Sequence, residues 1–130
     1  MKVDKKKNIM VLESFSKVKK NLQFDGCIAI GIGCETRDVN AKEILVGKGC
    51  SIGNVFCDQI ILGAFSSFKS IQANEVRLLN CCVGEKVNAK SIRIGEKCKV
   101  SEINAEVLEM IGASKIERIR ANKIRCVDFI

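Results

Sequence analysis

A sixteen-residue repeat runs through most of this chain and limits what the chain can fold into. When residues 28, 44, 60, 76, 92, 108 and 124 are aligned, the column contains only Ile, Val and Leu, and no gap is needed. The column two residues later, from Ile30 to Cys126, is apolar throughout. A fixed period held over so many copies is typical of a solenoid.

Within each repeat the apolar or small positions come in pairs two residues apart, such as 87 and 89, 92 and 94, and 98 and 100. Alternation with period two indicates strands, because successive side chains of a strand face opposite sides. Three short strands per repeat predict an all-β, single-stranded parallel β-helix of about six to seven three-sided coils.

Two further columns fit this interpretation. Ala and Cys fill the column at 41, 57, 73, 89, 105 and 121, as a narrow interior would require. Glycine recurs at 31, 47, 63 and 95, where we expect a corner with a tight turn or a positive φ.

Charge divides the chain into a tail and a body. Residues 1 to 20 contain seven Lys against Asp4 and Glu13, whereas the remaining 110 residues contain 15 basic and 13 acidic side chains. We therefore interpret residues 1–22 as a basic N-terminal tail or cap and residues 23–130 as the β-helix domain. Because the body lacks Trp, Tyr and a continuous basic groove, no specific binding of nucleic acid is expected.

The tail contains apolar residues at helical spacing among lysines. Such a basic amphipathic segment predicts a helix that lies on an anionic membrane, and the alternative is a cap or a short strand that starts the first coil. The tether residues would be Val11, Phe15, Lys17, Val18, Lys19, Lys20 and Leu22. Without a signal peptide or a span of about 20 apolar residues, the chain is expected in the cytoplasm.

The sequence offers little for catalysis. It contains no His, which is the commonest general base, and we expect neither an enzyme nor a bound cofactor. Eight cysteines leave a thiol-metal or redox protein as an alternative. Most of them share columns with Ser, Ala or apolar residues, so a structural role in the core is favoured and no metal site is predicted.

The ends and one outer face are the predicted contact surfaces. The repeat continues in register to Ile130 without a capping segment, and an uncovered strand edge is a template for pairing with another chain. We expect a homopolymer formed through Phe24, Ile28, Ile119, Ile124, Phe129 and Ile130. An outward apolar stripe of Ala29, Leu45 and Ile61 predicts a lateral contact, or a site at which a monomeric module binds a different protein, and the alternative is ordinary surface variation.

From about Phe24 onwards, coils such as VNAKEILVGKGCSIGN (39–54) and VNAKSIRIGEKCKVSE (87–102) resemble those of the bactofilins. These are bacterial cytoskeletal proteins built from a right-handed parallel β-helix. The resemblance implies right-handed coils and filaments that assemble end to end in the cytoplasm. It also implies a scaffold that contacts the membrane or another envelope protein.

Overall fold

The computed structural model describes residues 1–127, which form a parallel β-solenoid of about seven turns with about sixteen residues per turn. The predicted all-β solenoid is confirmed. The described residues contain no helix, and therefore none that could span a membrane. Phe129 and Ile130, two of the predicted polymer contacts, lie outside the described residues.

Thirteen strands follow one another along the chain, and most of them are short because the chain turns after a few residues. They are β1 (Lys2–Asp4), β2 (Ile9–Leu12), β3 (Leu22–Gln23), β4 (Cys27–Ile30), β5 (Val39–Asn40), β6 (Glu43–Val46), β7 (Asn54–Phe56), β8 (Gln59–Leu62), β9 (Ser67–Gln72), β10 (Glu75–Leu78), β11 (Val83–Ile94), β12 (Lys99–Ile111) and β13 (Lys115–Val127).

The strands stack into three ladders of parallel, in-register pairs. One ladder contains β2, β4, β6, β8 and β10, and a second contains β3, β5, β7 and β9. The long strands β11, β12 and β13 continue both ladders. The third ladder begins with isolated pairs that link Lys17, Glu35, Ser51 and Ser67. From Cys27 to Val127, the paired residues of these ladders therefore lie sixteen positions apart.

The core follows from this register. The predicted inward column is buried from Ile28, which is 0% exposed, to Leu108, also 0% exposed. Each of these side chains packs between the equivalent side chains of the coils before and after it, as in other repeat proteins. The columns of Ile28, Ile30 and Val39 are buried up to Leu108, Ile94 and Ile103, as predicted, whereas the Ala and Cys column is half-buried after Ala41 and packs against the core.

The first coil begins earlier than the sixteen-residue pattern indicates. Ile9 pairs with Cys27, eighteen positions away, and Leu22 pairs with Val39, seventeen positions away. This longer coil moves the N-terminal residues out of phase with the columns, so its similarity to the other coils is hidden in the sequence. Paired strands thus begin inside the segment interpreted as a tail or cap.

The glycine column at 31, 47, 63 and 95 has a different cause from the positive φ that we allowed for. A Cβ on Gly63 would come within 2.5 Å of the backbone carbonyl carbon of Gly47, so the column keeps successive coils close. Positive φ occurs two residues later, at Gly33 and Gly49 and then at three residues other than glycine. Those three are Phe65, Cys81 and Lys97.

Candidate functional site

The C-terminal end of the solenoid exposes residues that are buried in every preceding coil. Ile119 and Ile124 continue the inward columns of Ile103 and Leu108, yet they are 38% and 51% exposed, whereas Ile103 and Leu108 are 0% exposed. Among the described residues, β13 pairs only with β12, so its outer edge presents free backbone groups. The structure thus brings two of the predicted polymer contacts together on one open edge.

Basic side chains surround this edge. Between residues 115 and 127, β13 carries five Lys or Arg against Glu117, a net charge of +4. We define this set as the basic rim, and its members are Lys115, Arg118, Arg120, Lys123 and Arg125. Sequence reasoning did not single out the rim, although the run of basic residues near the C-terminus was a visible signal.

The N-terminal end is closed. Strand β1 pairs antiparallel with β2 and occupies the outer edge of that strand. Leu12 and Leu22 of the first coil are 2% and 4% exposed, and Val18 packs against the same core. The end of the apolar interior is therefore covered by the first coil itself.

The two predicted N-terminal polymer contacts do not lie on an end surface. Ile28 is buried under β2, because Met10 pairs with it in register. Phe24 is half-buried and packs against the core. Both were assigned to the end because the first coil, with its longer spacing, was not recognised in the sequence.

The segment predicted as the membrane tether forms no helix, and strands β2 and β3 start the first coil within it. Val11 and Phe15 are exposed and Val18 is half-buried, while Leu22 is buried within β3. These apolar side chains consequently share no single face. The three predicted tether lysines are all exposed, namely Lys17, Lys19 and Lys20.

The predicted lateral stripe is present and longer than expected. Leu45 and Ile61 are 48% and 39% exposed and lie side by side on β6 and β8. Ala29 on β4 belongs to the stripe as predicted, and the register extends it to Val11 on β2. Four adjacent rungs, each about 4.8 Å apart, therefore present apolar side chains on one face.

The buried cysteines form a ladder of hydrogen-bond donors at one corner. The thiol of Cys50 donates to the carbonyl oxygen of Gly31 at 3.0 Å, and the hydroxyl of Ser66 donates to that of Gly47 at 3.1 Å. Equivalent bonds run from Cys34 to Glu13, Cys82 to Gly63, Cys98 to Leu79 and Ser114 to Gly95. From residue 34 to residue 114 the column contains only Cys and Ser, because both are small and both donate to a turn carbonyl.

The cysteine environments do not resemble that of a reactive thiol. Burial raises the pKa of Cys57 to about 12, with a contribution from the nearby Asp58. Interaction with the neighbouring Cys98 thiol and burial raise the pKa of Cys82, and the same interaction lowers the pKa of Cys98. Cys98 is nevertheless 0% exposed, so reagents do not reach its sulfur.

The remaining surface offers shallow grooves. The one of about 390 Å³ lies beside Phe56 and is lined by Asp25, Lys42 and Asp58, among others. Within residues 1–127, no three Cys, Asp or Glu side chains gather as metal ligands would. The open edge of β13 is therefore the strongest candidate for a functional surface.

No protein-family model, no curated protein and no solved structure matches the chain.

Proposed function

We propose that this chain is a structural scaffold, similar to the bactofilins, whose copies assemble end to end through the C-terminal edge of the solenoid. The single observation that supports this function is the exposure of Ile119 and Ile124 on an edge with free backbone groups. A second set of coils on this edge would bury both side chains and complete the strand pairing, as in strand augmentation.

The closed N-terminal end shapes how such an assembly grows. A contact that uses only the C-terminal edge joins two copies and then stops, because an isologous interface is closed. Growth beyond a pair needs a second contact, either at the N-terminal end after β1 moves aside or along the lateral stripe of Val11, Ala29, Leu45 and Ile61. Assembly of this kind needs no nucleotide and no metal.

Sedimentation velocity at increasing protein concentration tests the proposal. The measurement belongs at about 0.5 M salt, where charge repulsion between basic rims is strongly screened. We expect the wild-type chain to form species larger than a monomer, and electron microscopy then distinguishes pairs from filaments. A wild-type chain that stays monomeric at every concentration would rule out self-assembly.

A double substitution identifies the surface. Ile119→Gln with Ile124→Gln leaves the charge of the rim unchanged and places polar groups where a second copy would bury them, so we expect a monomer. The matched control is Val107→Gln, because Val107 is 40% exposed but lies on the outer side of the preceding strand. Equal assembly of both variants would remove the C-terminal edge from the proposal.

A second candidate function is a binding module for a different protein, and the lateral stripe favours it. Val11, Leu45 and Ile61 are exposed and Ala29 is half-buried on four adjacent rungs of one face, which is more than scattered surface residues. Leu45→Gln with Ile61→Gln should then abolish binding of a stoichiometric partner and leave self-assembly intact. Loss of self-assembly in this variant would instead assign the stripe to contacts between copies.

A further inference from the structure

The last three strands of the solenoid alternate in charge. Strand β11 carries Lys86, Lys90 and Arg93 against Glu85, a net charge of +2. Strand β12 carries three Glu against Lys99, a net charge of −2, and β13 carries +4. An acidic strand therefore lies between two basic strands, and the outermost of the three is basic.

The alternation is built from specific columns. The Nζ atom of Lys86 lies 3.8 Å from Oε2 of Glu102, and the register places Arg118 on the other side of this glutamate. A second column repeats the arrangement, since Nη2 of Arg93 lies 3.2 Å from Oε1 of Glu109, and Arg125 is the next rung.

Arg118 and Arg125 therefore have an acidic neighbour on their inner side only, within the described residues. A further strand would lie about 4.8 Å beyond β13. Carboxylates on that strand, opposite Arg118 and Arg125, would continue the alternation of charge. The inward positions of the same rung would have to be apolar in order to cover Ile119 and Ile124.

A second copy of this chain does not supply that rung. If two C-terminal edges meet, two strands of net charge +4 face each other, and like charges directly opposite are destabilising. If the N-terminal end meets the C-terminal edge, β1 brings Lys2 into the column of Arg125 and Asp4 into that of Lys123, because Lys2 pairs with Val11 and Asp4 with Ile9. The first arrangement opposes two strongly basic strands, and the second leaves Arg125 opposite Lys2.

We propose that the C-terminal edge binds an acidic β-strand of a different chain, which alternates apolar inward residues with carboxylates opposite Arg118 and Arg125. This inference rests on the proposed function, because it takes the C-terminal edge as the assembly site and names the partner that fits it. The scaffold is then a mixed assembly at physiological ionic strength, and contacts between identical edges become important only when salt screens the rim.

Two synthetic peptides test this preference against the full chain. The first has the sequence of β12, KVSEINAEVLEMI (99–111), which already pairs in parallel with β13 on its inner side. The control has the sequence of β13 with C126S, KIERIRANKIRSV, and offers apolar residues at four of the five inward positions, with basic outward residues. At low salt, fluorescence anisotropy should give a dissociation constant about tenfold lower for the β12 peptide than for the control peptide. We expect this difference to become smaller at about 0.5 M salt.

Charge reversal in the full chain provides the matched variant. Arg118→Glu with Arg125→Glu should reverse the preference, so that the basic peptide binds more tightly than the acidic one. The control is Arg77→Glu with Lys90→Glu, which makes the same change in net charge at two exposed positions of the body. This control should keep the preference for the β12 peptide.

The outcomes separate the inference from the function on which it rests. Preference for the acidic peptide, reversed by the rim variant, supports the inference. Equal binding of both peptides overturns the acidic preference and leaves end-to-end assembly standing. Binding of neither peptide, with a wild-type chain that still assembles at about 0.5 M salt, also overturns the inference alone. Binding of neither peptide by a chain that is monomeric at every salt concentration overturns both.

Discussion

The two ends of the solenoid are built from the same columns of residues. The apolar side chains of these columns are buried at one end and exposed at the other. At the N-terminal end, Leu12 and Leu22 are 2% and 4% exposed, and β1 covers the outer edge of β2. At the C-terminal end, Ile119 and Ile124 are 38% and 51% exposed, and within residues 1–127 nothing pairs beyond β13. One end completes its own core, and the other leaves a surface for another chain.

The largest expected effect comes from truncating a core residue at each end. Leu12→Ala should lower the free energy of unfolding by about 3 kcal/mol, because it removes a buried side chain and leaves a cavity. Ile124→Ala, at the open end, should lower it by less than about 1 kcal/mol, because half of that side chain is already in water. Urea denaturation followed by circular dichroism measures both values at low protein concentration. Equal losses at the two ends would mean that the C-terminal end is covered.

The ladder of hydrogen-bond donors should give the next largest difference in unfolding free energy between the two ends. Cys34→Ala removes the thiol that donates to the carbonyl oxygen of Glu13 at 3.1 Å, in a position that is 0% exposed. We expect a loss of about 1 kcal/mol, because a fully buried thiol and its hydrogen bond are removed, while the carbonyl oxygen of Glu13 still accepts from Ser16. Ser114→Ala breaks the equivalent bond to Gly95 near the open end, where water can replace the hydroxyl, and about 0.5 kcal/mol is expected.

Serine substitution is the control for this pair. Cys34→Ser keeps a small donor at the same position, as Ser66 already does in the same column, so its stability should stay within about 0.5 kcal/mol of the wild type. If Cys34→Ser is as unstable as Cys34→Ala, the column is selected for the packing of sulfur and the hydrogen bond contributes little.

The body of the fold could be predicted from the sequence because stacked coils repeat their columns without insertions. Seven aliphatic residues at one spacing are visible without any coordinates, and from Ile28 to Leu108 they are buried as expected. The first coil could not be recognised, because its pairing offsets of eighteen and seventeen residues remove it from phase. The spacing of its apolar residues therefore matched that of an amphipathic helix.

Other features depend on contacts that the sequence does not encode locally. Phe65 adopts a φ of 61°, and nothing in its residue type indicates a left-handed conformation. Cys and Ser were recognised as small residues of one column, but their bonds to turn carbonyls follow from the coil below, nineteen positions back in most cases. The open edge was predicted in part, since Ile119 and Ile124 lie on it and Ile28 does not.

Alkaline pH tests the burial of Cys57. The pKa of Cys57 in the folded chain is raised from its ordinary value of 9.0 to about 12, so the unfolded chain loses this proton first. The resulting stabilisation is fully present below pH 9 and is lost as the pH rises from about 9 to about 12. Cys57→Ala should flatten the decline in unfolding midpoint over this window, whereas Cys126→Ala, in the open terminal coil, should leave it unchanged. A slope that is the same in all three proteins would remove Cys57 from this explanation.

The smallest effect on stability and the sharpest test of the comparison come from β1. Its three residues are fully exposed, so Val3→Pro, which disrupts pairing with Met10, should change the free energy of unfolding by about 0.5 kcal/mol or less. The same substitution frees the outer edge of β2 and should increase association at about 0.5 M salt, because the chain then has two open ends.

Val3→Thr keeps the strand and should assemble like the wild type. If Val3→Pro assembles no further than the wild type, burial of Leu12 and Leu22 closes the N-terminal end without help from β1, and any filament must grow through the lateral stripe.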